Sequence, residues 1–140
     1  MLRAVIDTNV LFEGLTHRRS PCAEVIDGWI AQRFQPCVSL ALALEYQAVL
    51  STKLSPLRGE RALKVLPFLL SLCAPVSIHY SYRPSSRDPG DDFVVDCVIN
   101  SRSLLVTENL RDFLPAARRF GFHVLRPVHF LVLVKKESEP

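Results

Sequence analysis

The residues of this chain that can do chemistry are mostly carboxylates, and they fall into four groups. Asp7-Thr8-Asn9 offers an acid, a hydroxyl and an amide in one turn. Glu45 stands inside Leu40-Ala41-Leu42-Ala43-Leu44-Glu45-Tyr46-Gln47-Ala48-Val49-Leu50. A helix that apolar is expected to be buried, and a buried carboxylate is costly unless it is paired or bound to a metal. Asp88-Pro89-Gly90-Asp91-Asp92 forms the third group, with Asp96 and Asn100 following at intervals of one helical turn. Thr107-Glu108-Asn109-Leu110-Arg111-Asp112-Phe113 forms the fourth. Taken singly, each has a plainer account. Asp7 suits an N-cap, Glu45 the wet side of a helix near Gln47, Asp91 and Asp92 the positive end of a helix dipole, and Asn109 or Asp112 the cap of a further helix. A solvated face explains the stripe of Asp92, Asp96 and Asn100 as well as a site does, so Asp96 ranks below Asp91. Brought together, several carboxylates repel, and some take up protons unless a cation compensates. Oxygen ligands without His or Cys point to Mg²⁺ or Mn²⁺. Such a site suits phosphodiester hydrolysis, in which the metal activates a water and stabilises the developing charge.

The elements that must position these groups read as strands alternating with helices. Leu2-Arg3-Ala4-Val5-Ile6 predicts a buried strand that ends at Asp7. Gly14 to Ser20 is a basic loop, and Ser20-Pro21 reads as an N-cap followed by proline at the first helical position. That helix is expected to run to about Arg33, with Ala23, Ile26, Ile30 and Phe34 facing inward. Pro36 to Ser39 predicts a second strand, and Leu40 to Thr52 a helix. Leu57 to Cys73 predicts one or two helices, broken or kinked at Pro67. Val76 to Tyr82 alternates like a strand, and Arg83 to Gly90 is a loop. A helix from Asp91 to about Arg102, a strand at Leu104-Leu105-Val106, a helix from Phe113 to Phe120 and a strand at His123-Val124-Leu125 follow. Pro127 to Lys135 predicts a closing helix. This alternation implies an α/β fold with a parallel sheet covered on both faces. Ligands of such sheets gather beyond the carboxyl ends of the strands, where Asp7 and Thr107 fall.

At 140 residues the chain predicts a single domain over 1–140, long enough to bury a core. A hydrophobic share of 49% with 22% charged residues argues against disorder. The net charge of +3 is too weak by itself to claim nucleic-acid binding. Setting the site acids aside leaves a more basic remainder. His17-Arg18-Arg19, Arg58, Arg61, Lys64, Arg83, Arg87, Arg118 and Arg119 are candidates to steer a polyanion, although Arg58, Arg61 and Lys64 also fit a solvated helix face. Tyr80 and Tyr82 with Arg83 suggest base stacking, with an edge strand as the plainer account. No apolar run approaches the ~18 residues of a membrane span, and the N-terminus carries no signal-peptide pattern. Cys22, Cys37, Cys73 and Cys97 form no CxxC pair and read as free thiols in a reducing cytosol. A cytoplasmic protein is expected. Leu63, Leu66, Phe68, Leu70 and the run from Phe130 to Val134 exceed what a small core needs; an exposed share predicts a homodimer or a groove for an inhibitory partner.

Four motifs in order resemble the PIN-domain ribonucleases over nearly the whole chain. Val5-Ile6-Asp7-Thr8-Asn9-Val10-Leu11 resembles the family's opening strand and first acid. Glu45 is similar in spacing to the second, and Asp88-Pro89-Gly90-Asp91-Asp92-Phe93-Val94-Val95-Asp96 resembles the segment that bears the third. Ile99 to Arg102 leading into Leu105 to Phe113 resembles the last strand and fourth polar position. Phe120 to Pro127 is similar to the C-terminal strand of a bacterial branch, the toxins of toxin–antitoxin pairs. The resemblance implies a Rossmann-like three-layer fold with a central, mainly parallel sheet of four to five strands. It also implies hydrolysis of RNA with Mg²⁺ or Mn²⁺. Asp7, Glu45 and Asp91 take the first three acid positions, with Asp92 as the alternate or neighbour of Asp91. The fourth is open: many members have an aspartate two residues after the threonine, where this chain has Asn109, and Asp112 lies three further on as a substitute ligand. Thr8, Asn9, Thr107 and Asn109 then position ligands or the phosphate, and Glu108 is an acid the family does not require. An antitoxin is expected to cover the acidic cleft, with an arginine reaching into it. The second reading is a PIN-like binding module with weak or no nuclease activity that docks RNA or a protein; Asn109 favours it. Haloacid-type phosphatases want an aspartate where Asn9 stands, and receiver domains want a lysine after a later strand that is absent here.

Overall fold

The computed structural model describes residues 1–83, 85–86 and 88–139. Its centre is the apolar strand β1 (Arg3–Ile6), whose Ala4, Val5 and Ile6 are buried, as expected of a parallel strand covered on both faces. β2 (Gln35–Val38) and β3 (Ala74–Pro75) lie to one side, β4 (Leu104–Val106) and β5 (Val124–Leu125) to the other. The order is β3-β2-β1-β4-β5 and every pairing is parallel. Val5 faces Leu105 and Ile6 faces Val106. The chain thus steps outward through β2 and β3, then crosses back to the far side of β1. The carboxyl ends of β1 and β4 flank the point where the strand order reverses, the place such sheets use for ligands.

The helices are α1 (Thr8–Thr16), α2 (Pro21–Ile30), α3 (Leu40–Thr52), α4 (Pro56–Ser71), α5 (Pro89–Ser101), α6 (Leu110–Phe120) and α7 (Pro127–Ser138). The Ser20 hydroxyl accepts the Ala23 amide at 3.1 Å and so caps α2; Ser39 does the same for α3 with Leu42. The buried rings of Trp29, Phe34, Tyr46, Phe113 and Phe130 anchor the core. Phe34 meets Phe130 edge to face at 4.9 Å, and the Trp29 indole donates to the Leu69 carbonyl at 2.9 Å.

The α/β class, the parallel sheet and the bounds of α3 and β4 agree with the sequence pattern. Several expectations need correction. Residues after Asp7 form α1 rather than a polar turn, because Val10 and Leu11 give it an inward face. The stretch 76–82 is not a strand: the Val76 amide still bonds the Val38 carbonyl of β2 at 2.9 Å, but beyond it Asn100 of α5 holds the backbone of His79 and Tyr80. Helix α4 runs through Pro67 without dividing. Ile30 is exposed because α2 ends there. Of the apolar excess, Leu66, Phe130 and Val134 enter the core, while Phe68, Val132 and Leu133 remain exposed. All four cysteines are free thiols, Cys73 only half-buried. Among the described residues no helix is long and apolar enough to cross a membrane. Arg87, a candidate for steering a polyanion, lies outside the described residues.

Candidate active site

Asp7 is the residue at which β1 becomes α1, and its carboxylate is 3% exposed. Thr107, fully buried, occupies the matching position after β4 and donates its hydroxyl to Asp7 Oδ2 at 2.7 Å. The same hydroxyl accepts the Asn109 amide at 3.0 Å, which fixes the direction in which it donates. The Asp7 amide bonds the Val106 carbonyl at 3.0 Å, so Asp7 and Thr107 sit immediately beyond the paired strands β1 and β4. Burial raises the Asp7 carboxyl above its ordinary range, against the Thr107 bond and the nearby Thr8 and Asn9 amides.

The third acid group owes its placement to a cap. Asp88 Oδ1 accepts the Gly90 amide at 2.9 Å and Pro89 takes the first helical position, so Asp91 and Asp92 fall in the first turn of α5. A helix N-terminus favours ionised carboxylates by about 0.3–1 kcal/mol. At Asp91 that preference is overridden. Burial first, then the charges of Asp7, Asp88, Asp112 and Asp92, push its carboxyl up to about 7. Asp92 behaves in the opposite way. It accepts the Ser85 hydroxyl at 2.7 Å, the Ser86 hydroxyl at 2.8 Å and the Ser85 amide at 3.3 Å, and the Arg83 guanidinium lies 3.6 Å away. Burial works upward on Asp92, but these bonds and that charge prevail and hold it below the ordinary value.

Glu45 is half-buried on α3. A methyl group placed on Gly90 would lie 3.7 Å from Glu45 Oε1 and 3.4 Å from Asp88 Oδ1, so the two carboxyls flank the bare backbone of the α5 entry. Its neighbour Tyr46 is wholly buried and donates its hydroxyl to the Ile6 carbonyl, one residue before Asp7. This bond ties α3 to the end of β1, and thereby Glu45 to Asp7. Asp112, half-buried in the first turn of α6, accepts Asn109 Nδ2 at 2.8 Å. Thr8 is buried, whereas Asn9 and Asn109 are exposed. Glu108 receives the Cys22 thiol at 3.7 Å instead of joining the acids.

Asp7, Asp91 and Asp112 therefore share one neighbourhood, with Glu45 beside Gly90 at its border. Among the described residues, however, no three His, Cys, Asp or Glu side chains stand close enough to enclose one ion. The donor set fits a hard dication, since every available ligand atom is oxygen and the carboxyls repel one another without a countercharge.

The polar stripe on α5 is not a solvated face. Asp96 is buried and takes both terminal nitrogens of Arg83, at 2.9 and 2.6 Å. Asn100 Oδ1 accepts the amides of His79 and Tyr80 at 2.9 and 3.3 Å, while its Nδ2 donates to the Tyr80 carbonyl at 2.8 Å. Three positions one turn apart thus fasten His79, Tyr80, Arg83, Ser85 and Ser86 ahead of the α5 entry. The spacing was visible in the sequence; its partners, 6 to 21 residues away in the chain, were not. Tyr46 was likewise missed, although a lone tyrosine beside a lone acid in an apolar helix was available as a signal.

A family model described as "PIN domain" matches residues 3–111. No curated protein matches the sequence. Among solved structures, the fold is similar to DNA-bound VapBC from Salmonella typhimurium, with a TM-score of 0.63 and 18% identity over 91% of this chain and 99% of that one. It is similar also to VapBC2 from Rickettsia felis bound to a DNA fragment from their promoter, with a TM-score of 0.61 and 12% identity over 89% and 98%. FitAcB from Neisseria gonorrhoeae gives 0.60 and 15% over 90% and 99%. At these identities the likeness is one of fold.

Proposed function

This chain belongs to the PIN domain family, and on that premise we propose that it is a divalent-metal-dependent endoribonuclease, the toxin of a type II toxin–antitoxin pair acting in the cytoplasm. The observation that carries the reading is the bond between Thr107 and Asp7 at the switch point, with Asp91 close enough to feel the charges of Asp7 and Asp112. Asp7, Glu45 and Asp91 would hold Mg²⁺ or Mn²⁺, with Asp112 as a further ligand. When bound, that ion supplies Lewis acidity and a hydroxide-like water at neutral pH. Thr107 holds Asp7 in one orientation, and Tyr46 sets the distance between α3 and β1. Asp92, occupied by Ser85, Ser86 and Arg83, fixes the α5 entry so that Asp91 faces the acids. Thr8, Asn9 and Asn109 border the site and would orient the phosphate. The VapBC and FitAcB folds support a protein partner for this chain, an antitoxin whose arginine would answer the acidic cleft. Exposed Phe68, Val132 and Leu133 are available for pairing with a second copy.

The test is RNA cleavage with Mn²⁺, with and without EDTA, alongside calorimetry of Mn²⁺ binding. Cleavage abolished by EDTA and binding lost in Asp7→Asn are expected. Absence of both at millimolar metal would favour the binding module, a reading supported by the separation of the acids and by Asn109 standing where an acid is usual.

A further inference from the structure

The opposite edge of the sheet carries a different chemistry. At the amino ends of β1 and β4 lies a hollow of about 740 Å³, with Arg3, Tyr80, Tyr82, Arg102, Phe120 and Phe122 among its walls. No acidic side chain is among the described residues that line it. Tyr80 and Tyr82 are 47% and 45% exposed, high for aromatic residues, yet the segment that carries them is fixed. Asn100 holds both backbone groups of Tyr80, the Tyr80 hydroxyl donates to the Ile99 carbonyl at 3.2 Å, and Asp96 anchors Arg83 next to Tyr82. The rings of Tyr82 and Phe120 lie 5.1 Å apart, and the Arg119 guanidinium sits 5.8 Å and 4.8 Å from their centres.

Arg119, packed on the Tyr82 and Phe120 rings that wall the first hollow, itself lines a second one of about 430 Å³ together with Ser85, Ser86, Arg111 and Asp112. The two hollows therefore follow one another along α6, from Asp112 in its first turn to Phe120 at its end. Eleven helical residues span about 16 Å.

We propose that the aromatic hollow is a base-binding subsite for single-stranded RNA, a few nucleotides along the strand from the acidic cleft. The inference rests on the ribonuclease reading and adds the element that would make the enzyme prefer unpaired RNA beyond the cut. Aromatic walls present a stacking surface for any unpaired base, and guanidiniums at the rim meet the adjacent phosphates. A duplex keeps its base faces stacked and cannot use such walls. The prior fastening by Asn100 and Asp96 lowers the ordering cost of binding. The sequence signal was Tyr80 and Tyr82 with a basic neighbour. The structure exchanges that neighbour: Arg83 is engaged by Asp96, and Arg119 takes its place over the rings.

The experiment measures binding of a fluorescein-labelled single-stranded RNA 12-mer by anisotropy, at fixed salt, in the Asp7→Asn background. Tyr82→Leu and Arg102→Asn are compared with Lys53→Gln at the exposed end of α3; asparagine tolerates the left-handed backbone at Arg102 (φ 54°). Tyr82→Leu is expected to weaken binding about tenfold, and Arg102→Asn to weaken it and flatten its salt dependence, with Lys53→Gln near the parent. With Asp7 restored, both hollow variants should hydrolyse bis(p-nitrophenyl) phosphate with Mn²⁺ at the parent rate while the KM for long RNA rises. Parent-like RNA binding in both variants overturns the subsite, as does a parent that binds no RNA. Loss of binding in the variants, in a protein that hydrolyses nothing with Mn²⁺, upholds the subsite and rejects the nuclease.

Discussion

Asp91 and Asp92 are adjacent in sequence, share the first turn of α5, and live in opposite environments. The carboxyl of Asp92 is enclosed by two serine hydroxyls, an amide and a guanidinium, which hold its pKa below the ordinary value. Asp91, a rotation of about 100° around the helix, faces other acids and has no bonded partner of its own among the described residues. One side of the helix is a finished structural network, and the other is an unfinished one that lacks positive charge. The first kind of carboxylate holds a fold together. The second costs stability, and under the proposed function a bound cation would offset that cost.

Neutralising the unfinished side should separate activity from stability most sharply. Asp91→Asn is expected to cut metal-dependent RNA cleavage by at least about a hundredfold, since an ion at such a site contributes several kcal/mol to transition-state stabilisation. Its melting temperature without metal should hold or rise, because a repulsive charge is gone. The pH dependence follows from the same contrast. A carboxyl whose folded pKa is raised binds more protons when folded than unfolded, so its contribution to stability declines between the ordinary 3.8 and about 7 as pH rises. Melting scans in EDTA should show that decline, Asp91→Asn should flatten it, and Mn²⁺ should reverse it. Asp92 contributes stability that is present above its ordinary pKa and lost only as pH falls through its lowered value.

Breaking the finished side should do the reverse. Arg83→Ala leaves the buried Asp96 carboxylate without its paired donors and strips charge from Asp92. Arg83 is 44% exposed, so solvent compensates in part and the expected loss is about 2 kcal/mol in urea unfolding. Adding Asp96→Asn should recover some of it, because an amide is less costly to leave unpaired than a charge. Cleavage should fall mainly through a loosened α5 entry. Tyr46→Phe is a smaller perturbation of the same kind. It removes one buried bond to the Ile6 carbonyl at an expected cost of about 1 kcal/mol. It should also weaken Mn²⁺ binding if α3 sets the distance from Glu45 to Asp7; unchanged affinity would detach Tyr46 from the site.

The same division governs what the sequence disclosed. Strands β1 and β4 and helix α3 were legible because burial on both faces, or a long apolar helix between a serine cap and a proline, writes itself into consecutive residues. The positions of Asp7 and Thr107 at strand ends followed from those elements. Segment 76–82 misled because its alternation is real, but past the Val76 amide, which still bonds Val38 of β2, the backbone of His79 and Tyr80 is satisfied by Asn100 rather than by a strand. Helix α1 was hidden by Asp7-Thr8-Asn9, whose polarity serves the switch point while Val10 and Leu11 drive the helix. Which of Asp91 and Asp92 faces the other acids was not legible, since both have the same chemistry until Ser85, Ser86 and Arg83 claim one of them.

The smallest test adds charge to the unfinished side. Asn109 stands two residues after Thr107 and donates Nδ2 to Asp112, so an amide occupies a place where a carboxylate would face Asp112 directly. Asn109→Asp replaces that bond with repulsion near a partly exposed carboxyl, at a cost of about 0.5–1 kcal/mol without metal. In return it should tighten Mn²⁺ binding a few-fold, because Asp112 is released and a ligand oxygen becomes charged. Calorimetry at pH 7 reads the difference. If the variant is destabilised and binds Mn²⁺ no better, Asn109 and Asp112 belong to the finished structural network, and the acidic neighbourhood ends at Asp7, Glu45 and Asp91.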